Sequence, residues 1–181
     1  MLDQDRVVER LRTRIREVPD FPDEGILFYD ITTVLKHGPS FREATDLMAA
    51  PFRNSPIDVV VAMESRGFIF GAPIAYLLNA GFAPIRKMGK LPAETISREY
   101  ALEYATNTLE IHSDAIESGQ RVLLVDDLLA TGGTVAASLD IVKELGGVPA
   151  GVVVLVELES LGGRQRLAPY GVDVHSYITY R

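Results

Sequence analysis

The chain has 181 residues, of which 47% are hydrophobic and 24% charged, with a formal net charge of −7 and no cysteine. That length fits one domain with its own buried core, and the missing cysteines exclude disulfides, thiolate metal ligands and a cysteine nucleophile. No apolar run approaches the ~18 residues of a membrane-spanning helix, and the negative balance disfavours nucleic-acid binding, which needs a basic surface. A local cluster such as Arg86, Lys87 and Lys90 still permits an anionic small ligand. Residues 1–17 mix Asp and Glu with Arg and lack the apolar stretch of a secretory signal. The cytoplasm is therefore the expected location, with neither membrane nor nucleic acid as partner.

In chain order, Val7, Leu11 and Ile15 recur at helical spacing and predict a helix over Asp5–Glu17, stopped by Pro19. Asp20–Leu35, with Pro22, Gly25 and mixed aromatics, reads as loop and short extended pieces. Ser40 with Glu43 three residues on predicts a capped helix ending at Pro51. Ile57–Met63 is a short β-branched run, the pattern of a strand buried on both faces. A turn at Glu64-Ser65-Arg66-Gly67 leads into a helix over Phe68–Asn79, in which Pro73 is acceptable only near the first turn. Phe82–Lys87 reads as a strand. Met88–Thr106 is polar and weakly periodic and reads as a long functional loop. Thr108–His112, Arg121–Asp126, Val152–Val156 and Val172–Tyr180 read as strands, the last polar enough for an edge. A helix after Gly132-Gly133-Thr134 buries Val135, Leu139 and Val142 and stops at Gly146-Gly147. Alternating strands and helices predict an α/β fold with a central, mostly parallel sheet flanked by helices. No repeat or linker divides the chain.

The run from Val122 to Thr134 carries the chemistry. A buried strand ends in paired carboxylates, Asp126 and Asp127; a small-residue loop, Ala130-Thr131-Gly132-Gly133, follows; and a helix opens at Thr134. Ligands in open α/β sheets sit beyond the carboxyl ends of strands. Glycine lets backbone N–H groups approach a ligand closely, and the helix start adds free donors and a positive dipole end suited to phosphate. The two aspartates would repel that phosphate, so sugar hydroxyls or a hydrated Mg²⁺ suit them better. A capped turn with two solvated aspartates fits the same residues. Neither the Gly-Lys-Ser/Thr of a Walker loop nor a Gly-x-Gly-x-x-Gly turn is present.

This run resembles the motif with which type I phosphoribosyltransferases bind 5-phosphoribosyl 1-pyrophosphate (PRPP). Further segments resemble the adenine-specific branch of that family: Phe21–Thr32, Glu64–Phe68, Ile85–Pro92, Tyr100–Tyr104 and Leu155–Leu161. They stand in the family's order and cover most of the chain from Pro19 to Leu161. The resemblance implies the family's fold, with residues 1 to about 35 forming a small hood over the strand ends. It implies transfer of adenine onto PRPP to give AMP, with Mg²⁺ required and a homodimer as the assembly.

Roles follow from the same resemblance. Asp126, Asp127, Ala130, Thr131, Gly132, Gly133 and Thr134 would hold the ribose and its 5-phosphate, the two aspartates meeting Mg²⁺ only through water or ribose hydroxyls. Ser65 and Arg66 would hold pyrophosphate, often in this family beside a non-proline cis peptide, here Glu64-Ser65. Lys87 and Lys90 would join them, and Arg86 would lie near the active site of the partner subunit. Leu27, Phe28, Tyr29 and Leu158 would form the base pocket, with Phe28 and Leu158 sandwiching the ring. Glu103 would be the catalytic residue, sharing a proton with the purine, and Tyr104 would shield the site. Two positions depart from the family pattern: Tyr29 stands where many relatives carry Arg, and Thr33 where proline is expected. His37, His112 and His175 fall outside every motif. The competing readings are transfer to another base (guanine, hypoxanthine, xanthine or orotate) and a PRPP-sensing regulator without turnover.

Overall fold

The computed structural model describes residues 4–101 and 106–181, and it divides into two compact units, one up to Leu47 and one from Met48. In the first unit, α1 (Gln4–Arg12) buries Val7 and Leu11. β1 (Arg16–Pro19) and β2 (Leu27–Asp30) pair antiparallel, with Glu17 opposite Tyr29 and Val18 opposite Phe28. A short α2 (Thr32–Leu35) follows, then α3 (Gly38–Ala49), whose last residues count with the second unit.

The second unit is built on a seven-stranded sheet in the order β5-β6-β4-β3-β7-β8-β9. Its strands are β3 (Val59–Met63), β4 (Gly81–Lys87), β5 (Thr95–Ala101), β6 (Thr106–His112), β7 (Arg121–Leu129), β8 (Val148–Leu158) and β9 (Val174–Tyr180). The β4-β3-β7-β8-β9 pairs are parallel, while β6 runs antiparallel to both β4 and β5. Three helices complete the unit: α4 (Gly67–Leu78), α5 (Gly133–Glu144) and α6 (Gly163–Leu167). The expected mostly parallel sheet flanked by helices is thus the observed fold, accompanied by the small N-terminal antiparallel sheet. No helix among the described residues is long and apolar enough to cross a membrane.

The parallel strands are apolar because both faces are covered. Every residue of β3 is buried, as are Val122 to Val125 of β7 and Gly151 to Val156 of β8. One face of this sheet packs with Val135, Leu139 and Val142 of α5. α4 lies so close to β3 that a Cβ on Gly71 would stand 2.5 Å from the Ala62 Cβ.

Several elements differ from the sequence reading. The first helix stops at Arg12 instead of Glu17, because Arg16–Pro19 gains a ladder with β2 and an ion pair between Arg16 and Asp30 at 2.5 Å. α3 opens at Gly38, and the Ser40–Glu43 capping box does not form: Ser40 pairs with His37 Nδ1 and Glu43 with Arg10. Pro73 stands in the middle of α4, not in its first turn. Packing against the sheet offsets the lost N–H, since most helical stability in a domain comes from tertiary contact. Met88–Thr106 is not loop throughout: Thr95–Ala101 forms β5, paired along its length with β6. β7 continues past the paired aspartates to Leu129 because β8 extends beside it, with Leu128 opposite Val156 and Leu129 opposite Glu157.

Gly71→Ala tests the α4–β3 approach. Better helix propensity would stabilise the variant by ~1 kcal/mol, but the clash at Ala62 costs more. Urea denaturation should show a net loss of about 1–2 kcal/mol; unchanged or greater stability would contradict the packing described.

Candidate functional site

The carboxyl ends of β3 and β7 and the starts of α4 and α5 meet in one cleft of about 260 Å³. Its walls include Glu64, Ser65, Arg66, Lys87, Tyr100, Asp126, Asp127 and Thr134. A smaller hollow of about 80 Å³ adjoins it, shares Asp126, Leu128 and Thr134 with it, and is lined by Ala130, Thr131, Gly132 and Gly133. The residues read from the Val122–Thr134 run and from the Glu64–Gly67 turn are therefore brought together. The peptide between Glu64 and Ser65 is cis.

Close packing at the start of α4 sets the geometry. A Cβ on Gly67 would lie 2.8 Å from Asp126 Oδ1 and 3.0 Å from the Val125 carbonyl oxygen, so only glycine brings the helix this near to β7. That proximity lets Arg66 Nε donate to Asp127 Oδ2 at 2.5 Å. Asp127 is 5% exposed, and its N–H donates to Asp126 Oδ1 at 2.9 Å. Burial, joined by the charge of Asp127, pushes the Asp126 carboxyl well above its ordinary range. Two adjacent acids, one ion-paired and one resisting ionisation, differ from the pair of solvated aspartates that the sequence alone also allowed.

Beyond β7, Gly132 takes a left-handed φ of 75° and leads into α5, whose N-terminus carries no side-chain cap. Its first N–H groups and positive dipole end thus face the hollow, the arrangement that favours an anion. The Thr134 hydroxyl donates to Tyr100 Oη at 3.3 Å.

The basic segment is held by two glutamates. Glu64 Oε2 accepts from Arg86 Nε at 3.0 Å and from the Lys87 N–H at 3.1 Å. Glu110 Oε1 accepts from the N–H groups of Lys90 and Leu91 at 2.8 and 3.0 Å. Burial pushes the Glu110 carboxyl up, but these bonds and those from Gly89 and Thr95 prevail and hold it below its ordinary range. Lys87 lines the cleft; Arg86 is engaged with Glu64, and Lys90 lines neither hollow.

The remaining predicted residues lie elsewhere. Leu27, Phe28 and Tyr29 form most of β2 in the N-terminal unit, where Phe28 meets Phe21 edge-on at 5.2 Å. Burial, then the charge of Glu17, raises the Tyr29 pKa. The Thr33 hydroxyl donates to the Asp30 carbonyl at 3.1 Å, a bond proline could not make. Leu158 closes β8 in the second unit, opposite Tyr180. Glu103 and Tyr104 lie outside the described residues. A larger cleft of about 600 Å³ in the N-terminal unit, among Arg10, Lys36 and Glu43, holds none of the predicted residues.

Sequence reasoning assigned no role to Tyr100, Glu110 or Gly163. Tyr100 stood in a matched segment. The close approach of Gly163 to the Ala130 carbonyl had only the Gly162-Gly163 pair as signal, and the buried bonds of Glu110 had none. Among the described residues no group of three or more His, Asp or Glu is placed to hold a metal ion.

The raised pKa of Asp126 makes stability depend on pH. The folded protein holds the Asp126 proton more tightly than the unfolded chain, so ionising it opposes folding increasingly as pH rises above ~4. Asp126→Asn keeps the shape without the titration. Without ligand, its melting temperature should exceed the parent's by a margin that is larger at pH 8 than at pH 5; a constant or reversed margin in a calorimetric pH series would rule this out.

The comparisons with known proteins agree in one direction. A model of the phosphoribosyl transferase domain matches residues 30–176. An adenine phosphoribosyltransferase of Koribacter versatilis is 54% identical over 172 residues, covering 95% of this chain and 93% of that protein. The crystal structure of the adenine phosphoribosyltransferase from Thermoanaerobacter pseudethanolicus superposes with a TM-score of 0.91 at 51% identity, covering 96% of this chain and 99% of that one. The Saccharomyces cerevisiae enzyme, solved with an iminoaltritol bisphosphate and adenine, does so with a TM-score of 0.89 at 35% identity, covering 96% and 99%.

Proposed function

We propose, from the premise that this chain belongs to the adenine phosphoribosyltransferases of the phosphoribosyl transferase domain family, that the cleft at the ends of β3 and β7 takes PRPP and that adenine is the base joined to it. The reaction is a pentosyl transfer. The bond between the anomeric carbon and pyrophosphate breaks, a bond to adenine N9 forms, N9 loses its proton, and AMP and pyrophosphate leave. The observation that carries this reading is the convergence, around one cleft and the hollow adjoining it, of an uncapped helix start, a carboxylate pair and cationic side chains.

Each wall suits one part of PRPP. The amides and hydroxyls of Ala130–Thr134 suit the 5-phosphate, and Asp126 and Asp127 suit the ribose hydroxyls. Ser65, Arg66 and Lys87 suit the pyrophosphate, with Lys90 joining when ligand is bound. Arg66 is already oriented by Asp127, and a guanidinium can engage two phosphate oxygens at once. Arg86 is assigned to the partner subunit's site. The donor set fits a cation that arrives on the diphosphate better than one bound by protein alone, because two adjacent acids make a poor cage and Mg²⁺ keeps water and phosphate ligands. Mg²⁺ would offset diphosphate charge, with Asp126 and Asp127 reaching it through water or ribose hydroxyls.

Leu27, Phe28, Tyr29 and Leu158 are proposed for the base. Phe28 and Leu158 would cover the two ring faces, and the backbone at Leu27 would read the edge that distinguishes adenine from 6-oxopurines. Glu103 is proposed to share the proton at the purine, and Tyr104 to keep water out. Measuring Mg²⁺- and PRPP-dependent nucleotide formation with adenine, hypoxanthine, guanine and orotate offered singly tests the assignment. AMP from adenine alone is expected, with Glu103→Ala slower by about 10²–10⁴-fold. Preference for another base would sink the base-pocket assignment, and PRPP binding without turnover would favour a regulator.

A homodimer is proposed as the assembly. α4 and β4 leave Ile69, Tyr76, Leu77 and Phe82 exposed, Tyr76 at 87%, and such side chains suit contact with a second copy. The substrates are small molecules, and the charge of −7 supports no nucleic-acid partner. A cytoplasmic location is proposed as well. Ile69→Glu combined with Tyr76→Glu should sediment as a monomer while the parent sediments as a dimer; identical behaviour of the two would remove this face from the interface.

A further inference from the structure

Arg164 lies in the first turn of α6 and lines neither hollow of the site. Its guanidinium nevertheless ties together elements distant in sequence. Nε and Nη2 donate to the two carboxylate oxygens of Glu157 at 3.0 and 2.6 Å, and Nη2 also reaches Ser176 Oγ at 2.9 Å. Nη1 donates to the Val174 carbonyl at 2.8 Å. Glu157, 5% exposed, is the penultimate residue of β8 and also accepts from the Ser176 hydroxyl. The bond from Arg164 is the main reason the Glu157 carboxyl stays below its ordinary range despite burial. The rigid planar fork of arginine spreads its donors widely enough to bridge Glu157, Ser176 and Val174 from one head group.

What this fork anchors is the turn from Leu158 to Gly163. Leu158 opens the turn in extended conformation, and Gly162 closes it with a φ of 70°. Next comes Gly163, pressed against the loop before α5: a Cβ there would stand 2.2 Å from the Ala130 carbonyl oxygen. Conversely, a Cβ on Gly132 would stand 2.8 Å from the Gly163 carbonyl oxygen. Turn and loop therefore touch backbone to backbone, with no side chain between them to absorb a shift. One end of the turn bears the proposed base contact, and the other supports the proposed phosphate loop.

We infer that Arg164 is a positioning residue that sets Leu158 and the loop Ala130–Thr134 in fixed register through Glu157 and Ser176, so that it governs the binding of both substrates without touching either. The inference rests on the proposed roles of Leu158 and of that loop. Stability alone is a weak account of the arrangement, because the Arg164 side chain is 47% exposed and an ion pair with an exposed partner contributes little. Placement of binding groups is far more sensitive, since a misplacement of ~1 Å can cost ~10²-fold, here in the binding of both substrates.

The test compares the parent with Arg164→Gln, Arg164→Lys and Ser176→Ala, measuring kcat, the KM for adenine and for PRPP, and melting temperature. Arg164→Gln should raise both KM values together by about tenfold or more while kcat changes by less than about threefold. Arg164→Lys should not restore them, because an ammonium cannot span Glu157 and Val174. Ser176→Ala should move both in the same direction by about two- to threefold, and it carries the test if the Arg164 variants do not fold. A lower melting temperature with parental KM values would reduce Arg164 to a structural role and overturn the inference, and so would a change in only one KM. A parent that turns over no adenine and binds no PRPP by calorimetry overturns the proposed function and this inference together. A parent that makes AMP beside an Arg164→Gln variant with unchanged KM values overturns this inference alone.

Discussion

The contact between Gly67 and the end of β7 is the constraint on which the rest of the site depends. With no side chain at Gly67, the start of α4 settles against Asp126 and the Val125 carbonyl. Everything nearby inherits its place from that approach: Arg66 reaches Asp127, the Glu64-Ser65 peptide turns into the cleft, and Glu64 extends to Arg86 and Lys87. The same approach buries Asp126 enough to resist ionisation. A carboxyl group whose pKa is raised at the edge of a cleft is the kind of feature retained for a ligand rather than for stability.

A second theme is acid used to place base. Glu64 and Glu110 do not neutralise cationic side chains so much as hold backbone N–H groups of the segment from Lys87 to Leu91. The chain can therefore carry a net charge of −7 and still present a locally cationic wall. Arg164 with Glu157 repeats the device on the other flank of the sheet. In each case a carboxylate fixes backbone, Glu64 and Glu110 directly and Glu157 through Arg164, which reaches the Val174 carbonyl.

The sequence made the sheet and the phosphate-type loop legible for different reasons. The β3, β7 and β8 runs are apolar and β-branched because both faces are covered, and a strand in that setting announces itself. The loop was legible through Gly132 and Gly133, which suit a left-handed φ and a close approach. Strand β5 was not legible: Thr95–Ala101 mixes Ser97, Arg98 and Glu99 with apolar residues, and it is a strand because β6 lies beside it. The mid-helix Pro73 and the short first helix likewise yielded to tertiary contact. The bonds of Glu110 and Arg164 lie beyond any reading of spacing, since each joins groups separated by turns whose course only the fold supplies.

The sheet's connectivity also has a kinetic side. β5 and β6 are neighbours in sequence, whereas β7 pairs with β3 across a long stretch of chain and with β8 only after α5 has crossed over. Local pairings close quickly, while parallel pairings between distant strands must first overcome the entropy of closing long loops. The acids of β7, the start of α4 and the loop before α5 come into register only when those distant pairings are complete. A ligand that fits this cleft is thus selective for the finished sheet, and by mass action it draws the last stage of folding toward the native state.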